Sequence, residues 1–190
     1  MNTIKTILTT EALFSDDGSK RYLLRKEWDK SKSKLAIIML APSSSAGIEL
    51  DTSTQLVVNN VARLGFGSVD ILNLSAVLND FSLKQSKNED KDNIDIIINS
   101  AKSADVIVYA AGVGKAKNKI FQQLQETLLK ELLPFQDKLN CLCNADGSAR
   151  FQHPLSPSVR IWHLSPFKAS DIISDINIEK TSQKKNDKDK

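Results

Sequence analysis

The chain has 190 residues, 41% of them hydrophobic and 26% charged, and its formal net charge is +3. This length and composition are typical of one globular domain whose core needs neither disulfides nor a structural metal. No apolar run approaches the roughly 20 residues that span a bilayer, and residues 1–10 lack the long apolar region of a signal peptide. We therefore expect a cytoplasmic protein without a membrane partner.

The positive charge is concentrated at the end of the chain. Residues 180–190 contain no apolar side chain, so this segment has no surface to bury and is expected to be disordered. A weak phosphate-binding arm is the alternative. The rest of the chain is nearly neutral, which is too little charge to indicate nucleic-acid binding by itself. The sequence thus predicts a single α/β domain over residues 1–166 and a polar, disordered tail over residues 167–190.

The first predicted element is a β-hairpin over residues 7–25. Apolar segments lie on both sides of Asp17-Gly18, a pair that is a strong signal for a short turn. Arg21 and Arg25 lie on the second strand of this hairpin. They either contact an anionic ligand or are ordinary exposed arginines.

Beyond the hairpin, strands and helices alternate. Four apolar runs are typical of strands buried on both faces, and they cover residues 35–40, 69–74, 106–111 and 139–143. Apolar residues at helical spacing predict helices that begin near Asp51, Asp92 and Ile120. This alternation predicts a three-layer α/β sandwich. Its centre is a four-stranded parallel sheet in the assumed order 2-1-3-4, to which the hairpin is added.

Ligands bind such sheets beyond the carboxyl ends of the strands, where the strand order reverses. Four segments of this chain follow a predicted strand, and they cover residues 41–51, 73–80, 111–118 and 144–158. With the assumed order, the crevice lies between the first and third of the four strands. We therefore expect the functional site among these segments.

The first segment carries hydroxyls, free backbone amides and a carboxylate. Pro42, Ser43 and Ser44 begin a loop of small residues over residues 42–47, whose successive backbone N–H groups after the proline suit an anion or a base carbonyl. An ordinary flexible loop is the alternative. Asp51 is the carboxylate best placed to activate water, and its alternative role is to cap the helix that follows.

The later segments contribute a glycine and a histidine. Gly112 permits either a tight turn or a close approach to a ligand, and its surroundings lack the third glycine of a dinucleotide fingerprint. His153, fixed by Pro154, is placed to donate a hydrogen bond to an oxygen that develops negative charge. A structural surface histidine is the alternative. Cys141 and Cys143 are expected to be buried thiols, and neither a metal nor a cofactor is predicted.

Several motifs in one order link the chain to a known family. They are residues 21–25 with Trp28, residues 38–43, residues 51–54, Asn73-Leu74, residues 141–147 and residues 153–155. On these motifs the chain resembles an uncharacterised bacterial and phage family, domain of unknown function 1643, over residues 12–160. The family usually has Asn where this chain has Ala41, Trp-Gly where it has Ala111-Gly112, and Arg where it has Gln152. The apolar Ala41 weakens the case for catalysis by that position.

A second resemblance concerns function. Pro42 with Ser43, then Asn73, then the late loop of residues 153–157 occupy places similar to motifs of the uracil-DNA glycosylase superfamily. In that superfamily the first loop holds or activates water, the asparagine reads the base edge and the histidine stabilises the departing base. Base-processing enzymes of this kind flip the base into a pocket. The resemblance implies these roles for Asp51, Asn73 and His153.

Two hypotheses about function follow. The first is a hydrolase that cleaves the glycosidic bond to a nucleobase in DNA or a nucleotide, with Asp51 and His153 as catalytic residues. Its substrate-binding residues are Pro42, Ser43, Ser44, Asn73 and Gly112. The second is a non-catalytic module on the same fold that binds a nucleotide or nucleic acid, which Ala41 and the modest charge favour. The enzyme requires Asp51 and His153 to face one crevice.

Overall fold

The computed structural model describes residues 1–86, 90–112 and 118–173. Its strands are β1 (Thr9–Phe14), β2 (Arg21–Glu27), β3 (Lys34–Met39), β4 (Ser68–Asn73), β5 (Val106–Tyr109), β6 (Leu139–Cys143) and β7 (His163–Pro166). Its longer helices are α1 (Thr52–Arg63), α2 (Lys91–Ser103) and α3 (Lys119–Glu131). Short 3₁₀ helices cover Leu133–Lys138 and Pro157–Val159. The predicted hairpin, buried strands and helices are thus confirmed, with ends shifted by a few residues.

Two cores lie on opposite faces of the sheet. Because side chains alternate along a strand, Ile37 of β3 faces α1, where it joins the cluster that contains Val57. Ile38 faces the other way and joins the cluster formed with Ile97 of α2 and Leu128 of α3. The predicted arrangement of a sheet between helical layers is therefore confirmed.

The sheet is larger than predicted. Within the described residues it has seven strands, in the order β1-β2-β4-β3-β5-β6-β7. The four strands β4-β3-β5-β6 are mutually parallel. The hairpin is not a separate addition, because β2 pairs antiparallel with β4, with Leu24 opposite Ile71. The prediction of a four-stranded sheet is therefore wrong in size, and the sheet is mixed.

The opposite edge is extended by β7, which pairs antiparallel with β6. The sequence predicted no regular element there. This strand has only four residues, and none of its side chains is fully buried. Its sequence therefore lacks the apolar run that predicts the buried strands.

The packed chain continues beyond Pro166, where the sequence placed the end of the domain. Phe167 and Ala169 are buried, and the Phe167 ring packs edge-on against Phe151 with 5.1 Å between ring centroids. The rest of the predicted tail, residues 174–190, lies outside the described residues. Among the described helices, none has the length and apolar character needed to cross a bilayer.

Candidate functional site

A cleft of about 700 Å³ opens at the carboxyl edge of the parallel strands. The helix that follows β3, α1, packs on one face of the sheet, and the helix that follows β5, α3, packs on the other. A site between two such neighbouring strands is where α/β sheets bind ligands. Ser43 and Asp51 follow β3, Gly112 follows β5 and His153 follows β6, and all four line the cleft. Three of the four predicted segments thus meet at one site.

Asp51 caps α1 and also lines the cleft. Its Oδ1 accepts a hydrogen bond of 2.8 Å from the Thr54 N–H, and its Oδ2 accepts one from the Ser43 hydroxyl. Burial alone raises the pKa of Asp51, but these hydrogen bonds and the nearby Arg21 charge hold the pKa below its ordinary value. Asp51 is therefore an oriented carboxylate at neutral pH.

His153 lies half-buried in the same cleft. Its Nδ1 accepts a hydrogen bond of 3.2 Å from the Leu155 N–H, so the proton of the neutral ring is on Nε2. Burial lowers the pKa of His153 below its ordinary value of 6.5, and the negative charge of Asp51 offsets this only in part. The imidazole is therefore a neutral hydrogen-bond donor at pH 7.

Gly112 holds the backbone close to His153. Its φ is +82°, a conformation that side chains disfavour. A Cβ atom at this position would lie 3.2 Å from the Cβ of His153. Gly112 thus allows a close approach of the backbone to His153 at one wall of the cleft. The predicted close approach to a ligand stays a prediction.

Arg21 forms part of the floor of the cleft, although only 1% of the residue is exposed. Its Nη1 donates to the carbonyls of Ser43 and Ser45. Its Nε is buried and has no hydrogen-bond partner in the described part of the chain. Burial lowers the pKa of Arg21, and the charge of Asp51 opposes this effect, but the guanidinium stays protonated throughout the physiological range.

Phe81 and Leu155 supply exposed apolar surface on the rim of the cleft, with exposures of 52% and 42%. Phe81 lies on a loop that is held by the buried Asp80, whose carboxylate accepts three backbone N–H groups and the Ser86 hydroxyl. Phe81 was not predicted from the sequence. The available signal was an aromatic residue directly after Asp80, in the segment between β4 and α2.

Three of the predicted substrate-binding residues do not line the cleft. Pro42 is buried beside it, and Ser44 points to solvent. Asn73 is buried at the end of β4, and its side-chain amide has no hydrogen-bond partner among the residues that the structure describes. Its role in reading a base therefore stays a prediction. In the described part of the chain, no group of three His, Cys, Asp or Glu residues is arranged to hold a metal ion.

The fold and the cleft define an α/β protein with a cleft at the carboxyl edge of a parallel array of strands. Residues 21–155 match a family described as protein of unknown function (DUF1643), and the chain belongs to that family. The predicted family resemblance is thereby confirmed. Neither a curated protein nor a solved structure matches the chain. The weaker resemblance to the uracil-DNA glycosylase superfamily stays a prediction.

Proposed function

We propose that the protein hydrolyses the N-glycosidic bond between a nucleobase and its sugar, in a nucleotide or in DNA. The observation that carries this proposal is the meeting of an ionised Asp51 and a neutral, donor-bearing His153 in one cleft. The cleft volume lies within the range of small-molecule sites.

In this reaction, Asp51 orients a water molecule toward C1′ of the sugar and accepts a proton as the water attacks. The C1′–N bond breaks, and its electron pair leaves with the base. The Nε2–H of His153 donates to the base atom that gains negative charge. A donor of this kind acts on the transition state more than on the bound substrate, because the charge develops only as the bond breaks.

A non-catalytic module is the second candidate, and one observation favours it. Both carboxylate oxygens of Asp51 already accept hydrogen bonds, from Ser43 and Thr54. These bonds also hold the pKa of Asp51 below its ordinary value, which makes it a weak base. On this account the same cleft binds a nucleotide or nucleic acid and releases nothing.

The test is release of free base from nucleotides and from single-stranded and duplex DNA that carry normal and damaged bases. The chain has two histidines, and His163 is exposed on β7, outside the cleft. His163→Ala is therefore a matched control for His153→Ala. We expect His153→Ala to lower the rate about 10²- to 10³-fold with little change in substrate affinity, and His163→Ala to behave as wild type. Binding without release by the wild type would support the module instead.

A further inference from the structure

Two cations of β2 are buried beneath the loop that follows β3. Arg21 is 1% exposed and Lys26 is fully buried. Arg21 donates to the carbonyls of Ser43 and Ser45, and the Lys26 Nζ donates to the Gly47 carbonyl at 2.6 Å and to the Thr10 hydroxyl at 2.9 Å. All of these partners are neutral.

Neither cation has a carboxylate within ion-pair distance among the described residues. Buried charges are normally paired, so this arrangement is costly unless something else supplies an anion. Asp51 is the carboxylate that lines the cleft, and its oxygens accept hydrogen bonds from Ser43 and Thr54. Among the described residues, the Nε of Arg21 has no acceptor.

We propose that Arg21 is the anion-binding residue of the cleft and that the ligand bound there is a nucleoside monophosphate. A guanidinium binds phosphate through parallel N–H donors. Arg21 contributes to the cleft floor, while Met39, Phe81 and Leu155 supply apolar surface for a base. The proposal rests on the proposed function only in that the ligand contains a nucleobase.

The charge of the cleft favours a mononucleotide over a nucleic acid. Among the described lining residues, Arg21 is the one Lys or Arg. A nucleic-acid tract is normally bound through several phosphate contacts by Lys and Arg. One buried cation at the floor is suited to a single phosphate that enters the cleft.

The experiment is isothermal titration calorimetry of wild type, Arg21→Gln and Arg160→Gln. The ligands are 5′-monophosphates of the common ribo- and deoxyribonucleosides, the matched nucleosides, inorganic phosphate and a single-stranded oligonucleotide. Arg160 is exposed and outside the cleft, so Arg160→Gln controls for loss of one positive charge. Because the wild-type comparison of nucleotide with nucleoside needs no variant, the test holds even if Arg21→Gln fails to fold.

We expect a monophosphate to bind wild type and Arg160→Gln about ten- to hundredfold more tightly than its nucleoside. In Arg21→Gln, this difference should disappear while nucleoside affinity changes little. Equal binding of nucleotide and nucleoside by wild type, no binding of either, or a difference that persists in Arg21→Gln would overturn the proposal. Tighter binding of the oligonucleotide than of any monophosphate would overturn the choice of a mononucleotide.

The readout is binding, so it separates this inference from the hydrolase. A monophosphate that binds through Arg21 and is not cleaved leaves the inference standing and removes the proposed reaction. If a nucleoside binds and is cleaved as well as its monophosphate, the proposed reaction stands and the inference about Arg21 fails.

Discussion

Two arginines on β2, four residues apart, have opposite electrostatic surroundings. The Arg25 Nε donates to Asp70 at 2.7 Å and its Nη1 donates to Glu11 at 2.9 Å. Within the described residues, Arg21 donates to backbone carbonyls alone and its buried Nε has no partner. The fold neutralises the first charge itself and leaves the second at the floor of a cleft. The difference is consistent with a stabilising role for Arg25 in the sheet and with the proposal that Arg21 binds a ligand.

Arg25 belongs to a network of hydrogen bonds and ion pairs centred on the Asp70 carboxylate. Asp70 is fully buried on β4 and also contacts Lys34 at 2.6 Å and the Ser100 hydroxyl of α2. Burial alone raises the pKa of Asp70, but the Arg25, Lys34 and Ser100 contacts bring the pKa below its ordinary value. This carboxylate therefore ties β2, β3 and α2 to β4.

The largest effect is expected from removing the shared carboxylate. Asp70→Ala should lower the free energy of unfolding by about 3 kcal/mol, because it removes the carboxylate that Arg25 and Lys34 share and opens a buried space. Arg25 is then left to pair with the more exposed Glu11. Both cations retain partial access to solvent, which limits the loss. Urea titration measures it. A loss below about 1 kcal/mol, the range of exposed ion pairs, would show that the network contributes no more than a surface salt bridge.

A smaller effect is expected from Gly112, and a second glycine with positive φ, Gly147, provides a control outside the cleft. Gly112→Ala and Gly147→Ala both place a side chain at positive φ, at +82° and +76°, and each should cost about 1 kcal/mol of stability. Only Gly112→Ala pushes against His153, because nothing lies within 4 Å of a Cβ at Gly147. We therefore expect only Gly112→Ala to weaken nucleotide binding in calorimetry. Equal weakening by both variants would remove the assigned role of Gly112.

The titration of His153 tests the electrostatic coupling across the cleft. Since burial lowers its folded pKa below 6.5, the unfolded chain takes up the proton first as the pH falls. The stability due to the neutral ring is thus fully present above about pH 6.5 and is lost as the pH falls through the folded pKa. NMR should show a pKa below 6.5 in wild type and a still lower pKa in Asp51→Asn, which lacks the opposing charge. A pKa above 6.5 in wild type would mean that the ring is charged by Asp51 rather than kept neutral by burial.

The smallest effect is expected at Arg21 itself. Arg21→Met should change the free energy of unfolding by less than about 1 kcal/mol, because losing the hydrogen bonds to the loop is offset by removing an unpaired buried charge. The same urea titration, run beside Asp70→Ala, measures the contrast. A loss as large as that of Asp70→Ala would make Arg21 a structural residue like Arg25.

The strands, helices and general place of the cleft were predictable because they depend on local patterns. The apolar run that forms β3 and the cap residue Asp51 are readable within a few neighbours. The pairing of β2 with β4 joins residues far apart in sequence, such as Leu24 and Ile71, and hairpin signals do not specify it.

The sequence alone also did not show which of the two arginines has a carboxylate partner. Arg21 and Arg25 look alike in the motif that contains both. What separates them is the position of Asp70, which depends on the register of β4 against β2. Phe81 was missed for a similar reason, since its exposure follows from the way Asp80 folds the loop around it.

The most direct test of the contrast between the two arginines is an NMR titration of their side-chain Nε–H groups. The chain has five arginines, so selective labelling and single substitutions assign each signal. Arg21 Nε has no hydrogen-bond partner among residues 1–86, 90–112 and 118–173, whereas Arg25 Nε donates to Asp70. On addition of a nucleoside 5′-monophosphate, we predict that the Arg21 signal shifts as it gains an acceptor and that the Arg25 signal stays in place. An Arg21 signal that does not move, or equal shifts at all five arginines, would contradict the account.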